Sequence, residues 1–156
     1  MSDDLIAAVA DRPVGDADYL ALSRIVIDHA WLTDHGRADE VHELYVEEGE
    51  LFLTPDVVLR GRSAIRDWGR QLVAAPPWRL IKHICGSMRF TAIGADAAEG
   101  YTSMAVYMTA GDDAATTMPW SVGEDHDRFV RTGQGWRLVS RRWTEHFARG
   151  DTIDVG

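Results

Sequence analysis

Apolar residues recur at helical spacing through residues 16–33, and this pattern predicts an amphipathic first helix. At about 100° per residue, Leu20, Ile27 and Trp31 fall on one stripe of that helix. Asp34 lies in line with this stripe, within roughly 60° of the three apolar side chains. We therefore expect Asp34 to point where the core-facing side chains point, although a carboxylate is poorly placed near the negative end of a helix dipole.

Beyond this helix, the pattern changes from helical spacing to strand spacing. A short helix is predicted over Ala38–Leu44, and two short strands flank a turn at Pro55-Asp56. An amphipathic helix over residues 63–75 is expected to begin at Ser63, a residue type that favours N-caps. Long β-rich segments follow at residues 79–93, 97–110, 118–132 and 136–147. This order predicts an α+β domain, with helices on one face of a curved antiparallel sheet and a pocket between the two layers.

The length and composition fit one globular domain of 156 residues. We assign residues 1–15 to an N-terminal arm, 16–148 to the domain and 149–156 to a C-terminal tail. The formal charge of −9 argues against nucleic acid and anionic membranes as partners. A single cysteine, an acidic start and the lack of a long apolar run predict a cytoplasmic protein whose partners are small molecules and other protein subunits.

Strand alternation places a histidine on the less polar face of the third strand. In the stretch RLIKHICGSMRF, one face carries Ile81, His83 and Cys85. A histidine on such a face is either a satisfied core residue or a general base. If Asp34 pairs with His83, the carboxylate fixes the ring tautomer and stabilises the imidazolium that forms on proton abstraction.

Other catalytic and cofactor signatures do not occur in the sequence. The stretch EDHDR collects acids and a histidine, but a strand sends Asp125 and Asp127 to one face and His126 to the other, and no further metal-ligand motif accompanies them. There is no nucleophile elbow, and Cys85 has no neighbouring base in the sequence. Because phosphate-binding glycine patterns are also missing, we expect neither a metal nor an organic cofactor.

Four stretches of the chain resemble the SnoaL-like group of the nuclear-transport-factor-2-like superfamily. They are HAWLTDHGRADEVHELYVEEGEL, LRGRSAIRDW, IKHICGSMRF and DRFVRTGQGWRLVSRR. In order, they are similar to the family's first long helix ending in Asp, the start of its third helix, its histidine-bearing strand and its closing hairpin. The resemblance covers residues 20–143, and it implies a cone-shaped α+β fold with an apolar pocket.

Within that group, the sequence looks most like the scytalone dehydratase and bile-acid dehydratase type. There, an Asp at the end of the first long helix pairs with a strand histidine to remove a proton. Asp34 and His83 match this pair, so the resemblance implies that both are catalytic. Three positions depart from the pattern: His29 stands where a tyrosine is frequent, Met108 replaces a second pocket histidine, and Asp125 falls near the place of an amide.

The resulting prediction is a cofactor-independent lyase or isomerase acting on a small, apolar, carbonyl-bearing ring compound. The residues expected to bind the substrate are His29, Trp31, Tyr45, Trp68, Met104, Met108, Asp125 and Arg142. The group that assists the leaving hydroxyl or polarises the carbonyl is expected among Tyr45, Asp125, His126 and Arg142.

Other functions of the same fold stay open from the sequence. Polyketide cyclases close rings by aldol chemistry, and limonene-type epoxide hydrolases use an Asp–Arg–Asp set, for which Asp125 and Arg142 are candidates. In a non-catalytic ligand-binding or assembly domain, Asp34 and His83 would be structural. The resemblance also implies a homodimer or a higher homo-oligomer, formed through the outer face of the sheet, where Tyr101 is expected to lie.

Overall fold

The computed structural model describes residues 12–109 and 118–148, which form two α-helices, a 3₁₀ helix and one six-stranded sheet. The elements in chain order are α1 (Asp16–Asp34), the 3₁₀ helix (Ala38–Leu44), β1 (Tyr45–Phe52), β2 (Val58–Arg60), α2 (Gly61–Ala74), β3 (Leu80–Ala92), β4 (Ala97–Thr109), β5 (Ser121–Thr132) and β6 (Gly135–Ala148). The strand order is β2-β1-β6-β5-β4-β3. Neighbouring strands are antiparallel except for β1 and β6. The predicted α+β class with a curved sheet and N-terminal helices is confirmed.

Helix α1 packs on the sheet through a stripe different from the predicted one. Its buried residues are Leu22, Ile25, Val26, His29, Ala30 and Thr33. The side chains expected in the core, Leu20, Ile27 and Trp31, are instead 68%, 49% and 45% exposed. This prediction was wrong because α1 is apolar on more than one side, so spacing alone does not decide which stripe meets the sheet. Asp34 is nevertheless enclosed, because α1 ends beside β3.

Helix α2 begins two residues before the predicted start and without the predicted cap. Its first residue, Gly61, has a φ of 83°, a left-handed value that glycine adopts without strain. Ser63 therefore lies inside the first turn, and no side chain caps the helix. Further along, Gly69 packs so closely on the 3₁₀ helix that a Cβ there would lie 2.2 Å from the carbonyl oxygen of Ala38. This contact fixes α2 against the 3₁₀ helix.

The inner face of the sheet is defined by strand alternation and by bulges. On β5, the buried residues alternate strictly and are Ser121, Gly123, Asp125, Asp127 and Phe129. The register of β5 and β6 shifts between Arg128 and Phe129, because β6 contains one extra residue there. As a result, Leu138 and Arg141 are both buried although they are three positions apart, an odd number that strict alternation would place on opposite faces. The bulge therefore decides which arginine of β6 faces inward.

Residues 12–14 join the open edge of β3 near its end. The N–H of Val14 donates to the carbonyl oxygen of Phe90 at 3.3 Å, and Pro13 forms a bridge with Thr91. Most of the predicted N-terminal arm and the whole C-terminal tail fall outside the described residues, so these boundaries stay predictions. Within the described part of the chain, neither α-helix is long and apolar enough to cross a membrane.

Candidate active site

Asp34 and His83 are in contact at one edge of the sheet. Nδ1 of His83 lies 2.6 Å from Oδ1 of Asp34. The backbone N–H of His83 donates to Oδ2 of the same carboxylate at 3.0 Å. Only 6% of the Asp34 side chain and 18% of the His83 side chain are exposed. The structure thus brings the two predicted catalytic residues together in an enclosed place.

These two hydrogen bonds fix both the orientation and the tautomer of the histidine ring. Because β3 is the last strand of the sheet, the N–H of His83 is free to meet the end of α1. A carboxylate only accepts hydrogen bonds, so the proton of a neutral His83 ring lies on Nδ1. Nε2 then carries the lone pair, which is the arrangement that a general base needs.

A lysine also contacts the carboxylate, at the same edge of the sheet. Nζ of Lys82 is 3.8 Å from Oδ2 of Asp34, but its side chain is largely exposed, so this ion pair contributes at most about 1 kcal/mol. The last turn of α1 contains no basic residue of its own. Asp34 is therefore stabilised near the helix end by three groups of β3: a ring, a backbone N–H and an ammonium.

A second polar cluster lies on the inner face of β5 and β6. Nε and Nη2 of Arg141 donate to the two carboxylate oxygens of Asp127, at 2.8 Å and 2.6 Å. Nη1 of Arg141 lies 3.6 Å from Oδ2 of Asp125. All three residues are buried, so one guanidinium faces two carboxylates. In residues 12–109 and 118–148, no three acidic, histidine or cysteine side chains are arranged to hold a metal ion.

Asp125 is the less tightly paired of these two carboxylates. Burial raises the pKa of Asp125 to about 6, with Arg141 opposing this shift and Asp127 adding to it. The pKa of Arg141 is raised, because the attraction of the Asp127 and Asp125 carboxylates outweighs the opposite effect of burial. Near neutral pH, Asp125 can therefore hold or release a proton, as a general acid must.

The raised pKa of Asp125 makes the stability of the fold depend on pH. The pKa is about 6 in the folded state against 3.8 for an ordinary Asp, so the fold favours the protonated form. This stabilisation is complete below pH 3.8 and is lost as the pH rises through about 6. We expect the free energy of unfolding of the wild type to fall by about 3 kcal/mol relative to Asp125→Asn across that range. Urea unfolding of both proteins at a series of pH values measures the difference, and parallel curves would contradict the assignment.

A buried histidine–tyrosine pair lies near both clusters. Nε2 of His29 is 3.1 Å from the hydroxyl oxygen of Tyr45. Burial, together with the charges of Arg141 and His83, lowers the pKa of His29 well below its usual value. Burial raises the pKa of Tyr45. Both side chains are therefore neutral at physiological pH, and each contributes a polar atom to the interior.

Three predicted site residues lie away from the inner face. Trp31 is exposed and stacks on His35, with ring centroids 4.3 Å apart, so it is not a pocket wall. Arg142 pairs in register with His126 on the outer face, where its guanidinium lies over the ring of Phe52. The prediction that these three side chains serve the interior site was wrong. Arg142 and His126 instead line an outer groove of about 300 Å³.

Of the remaining predicted residues, two methionines lie on the inner face and a tryptophan packs against the core. Met104 and Met108 are buried on strand positions that share the inner face with His83. Trp68 packs against the hydrophobic core, so its contacts in the structure are those of a core residue.

Sequence reasoning missed two residues of the inner face. These are Arg141 and Trp143, which pair in register with Asp127 and Asp125. A signal for Arg141 existed, because alternation predicted Asp125 and Asp127 on one face, and two buried acids require a cation nearby.

Comparisons with known proteins agree with this architecture. The model of the SnoaL-like domain family matches residues 17–142. No curated protein matches the chain in sequence. Among solved structures, the chain is similar to a provisionally assigned scytalone dehydratase from Novosphingobium aromaticivorans, with 16% identity and a TM-score of 0.73, over 84% of this chain and 85% of that one.

Two further solved structures have the same fold. A nuclear-transport-factor-2-like protein with a cystatin-like fold, from Novosphingobium aromaticivorans, has 23% identity and a TM-score of 0.68, over 86% of this chain and 85% of that one. The hexachlorocyclohexane dehydrochlorinase LinA-type3 from Novosphingobium barchaimii has 13% identity and a TM-score of 0.71, over 84% and 88% of the two chains. At these identities the likeness establishes the fold alone. Because the family model spans most of the sequence, the chain belongs to the SnoaL-like domain family, with the nuclear-transport-factor-2-like cone fold.

Proposed function

We propose that this protein is a cofactor-independent lyase or isomerase that removes a proton from the carbon next to a carbonyl group in a small ring compound. The observation that carries the proposal is the double contact of Asp34 with His83, which leaves Nε2 of the ring free to accept a proton. When His83 becomes charged, its attraction to the enclosed carboxylate increases. That increase stabilises the transition state of proton transfer more than the ground state.

Asp125 is the group that completes a dehydration in this proposal. With a pKa of about 6, it holds a proton in part of the molecules near neutral pH and donates it to a departing hydroxyl. His83 takes the proton from carbon, the C–O bond breaks, and the products are a C=C bond and water. Arg141 stabilises the Asp125 carboxylate that forms, because its Nη1 is 3.6 Å away. In an isomerisation, His83 returns its proton to a different carbon.

The surroundings of the dyad support this assignment. Met104 and Met108 are buried on the same face as His83, and apolar neighbours strengthen electrostatic interactions by keeping water away. The dehydratase and dehydrochlorinase names of two structures with this fold both describe elimination reactions. Elimination from neighbouring carbons is the chemistry that a base and an acid on the same face of a sheet can provide.

Deuterium exchange tests the proposal without knowledge of the natural substrate. The protein is incubated in D₂O with a panel of monocyclic and bicyclic ketones, and the loss of the α-proton signals is followed by NMR. We expect exchange above the buffer rate with at least one ketone, and its loss in the His83 variant described in the Discussion. Exchange at the buffer rate throughout the panel would contradict the proposal.

Arg141 favours a second candidate function, the hydrolytic opening of an epoxide. The Asp–Arg–Asp set considered for Arg142 is formed by Arg141 with Asp125 and Asp127. In such a reaction, one carboxylate takes a proton from water while a protonated one donates to the epoxide oxygen. Asp127 is poorly suited to the first role, because both of its oxygens already accept from Arg141.

A single substrate separates this second candidate from the first. Styrene oxide in H₂¹⁸O is hydrolysed to a labelled diol if the Asp–Arg–Asp set is the catalytic group. We expect Asp125→Asn to abolish diol formation in that case, with His83→Ala leaving it unchanged. If the wild type forms no diol above the buffer rate, the epoxide hydrolase candidate is rejected.

A further inference from the structure

Across the sheet from His83, a serine and a glutamate are hydrogen-bonded. Oγ of Ser121 donates to Oε2 of Glu145 at 2.6 Å. In strand register, His83 on β3 pairs with Val106 on β4, and Val106 pairs with Ser121 on β5. The three residues therefore form one row across the inner face. Two strand spacings separate His83 from Ser121, which is about 10 Å between their backbones.

The backbone of β6 is shaped so that Glu145 reaches this row. The register of β5 and β6 shifts between Val122 and Gly123, so that β6 contains one extra residue there. Gly123 on β5 pairs in register with Glu145 on β6. A Cβ at position 123 would be 2.1 Å from the carbonyl oxygen of Thr144. The missing side chain of Gly123 thus allows β6 to approach, and the bulge directs the carboxylate of Glu145 toward Ser121.

We propose that Ser121 and Glu145 bind a hydroxyl group of the substrate, on the side of the ring opposite to the carbon that His83 deprotonates. The choice of His83 as the base rests on the proposed function. Ser121 is buried and anchors one carboxylate oxygen of Glu145, whereas the remaining lone pairs accept a hydrogen bond from an alcohol or a phenol. The substrate class is therefore a ring ketone with a hydroxyl group about one ring width from its acidic C–H bond.

The charge of Glu145 disfavours other substituents at this position. An anionic group would be repelled by the carboxylate. An apolar group would remove water from the carboxylate without replacing the lost hydrogen bonds. Because Glu145 is exposed, the site is expected to favour the hydroxylated ring over the analogue that lacks the hydroxyl group, without excluding that analogue.

Binding of two matched ketones tests this proposal independently of turnover. We compare 5-hydroxy-1-indanone with 1-indanone by isothermal titration calorimetry, using the wild type, Glu145→Ala and the control Glu124→Ala. Glu124 lies on the outer face of β5, where it contacts His126. We expect the wild type and the control to bind the hydroxylated ketone about tenfold or more tightly than 1-indanone. In Glu145→Ala, the ratio of the two affinities should fall to about one.

Several outcomes would overturn the assignment of Ser121 and Glu145. These are equal affinity of the wild type for the two ketones, an unchanged preference in Glu145→Ala, and no binding of the hydroxylated ketone. Ser121→Ala, which retains the carboxylate but removes its anchor, is expected to weaken the preference in part. Deuterium exchange is measured separately, so a preference without exchange would reject the proposed function and leave the hydroxyl site in place.

Discussion

Replacing His83 with alanine is expected to lower the rate of α-deuterium exchange by about 10²–10⁴-fold, the usual contribution of a positioned general base. The fold should survive, because the ring lies at the edge of the sheet with 18% of the side chain exposed, outside the hydrophobic core. The exchange rate is measured by NMR in D₂O with the best ketone of the panel. Circular dichroism checks the fold of each variant.

The variant Asp34→Asn should lose nearly as much activity, for a reason specific to this geometry. The carboxylate accepts from both the backbone N–H and the Nδ1–H of His83. An amide offers only one acceptor oxygen. Because the backbone N–H always donates, the oxygen turns toward it and the NH₂ group faces Nδ1. The ring proton must then move to Nε2, and the lone pair of the base no longer points at the substrate.

His126→Ala is the matched control for both variants, since it removes an imidazole from the outer face of β5. The His126→Ala protein should catalyse α-deuterium exchange of the ketone at the wild-type rate. Exchange that survives in His83→Ala at the level of this control would show that His83 is not the base. A loss of exchange in all three variants would indicate a general loss of structure and not a catalytic role.

The contact of Asp34 with His83 shows what the sequence can and cannot predict. Strand alternation correctly places His83 beside Ile81 and Cys85 on the inner face, because a period of two is insensitive to small errors in register along a regular strand. The helical stripe used for Asp34 was wrong, since Leu20 and Trp31 are exposed. Asp34 reaches His83 because α1 ends beside the open edge of β3, and this arrangement of elements is a tertiary property.

The positions on β6 could not be predicted by alternation. Trp136 and Leu138 are buried, and strict alternation from them places Arg142 inside. One inserted residue reverses the pattern, so Arg141 faces Asp127 while Arg142 lies outside. A bulge depends on how β5 and β6 fit together, and neither strand marks it with a glycine or a proline at that point. The paired acids of β5 were the available sign that a cation faces them.

The free energy of unfolding is expected to fall by about 3–5 kcal/mol when Asp127 is replaced by alanine. The side chain of Asp127 is fully enclosed, and 4% of the Arg141 side chain is exposed. The substitution removes both charge-assisted hydrogen bonds of Arg141 and leaves its guanidinium buried with Asp125 at 3.6 Å as the remaining acid. Because Asp127 adds to the upward shift of the Asp125 pKa, the pH dependence assigned to Asp125 should also weaken. Urea unfolding measures both effects.

Two further variants distinguish the loss of the buried ion pair from the general effect of removing an acidic side chain on the free energy of unfolding. Glu99→Ala breaks the exposed ion pair with Arg128 on the outer face of the same sheet, and exposed pairs contribute about 0–1 kcal/mol. The double variant Asp127→Ala with Arg141→Met removes the stranded charge and should regain much of the lost stability, because a well-packed apolar side chain replaces a buried ion pair at little or no loss. If Asp127→Ala is no less stable than Glu99→Ala, or if the double variant is less stable than Asp127→Ala, the stranded Arg141 charge is not the cause of the destabilisation.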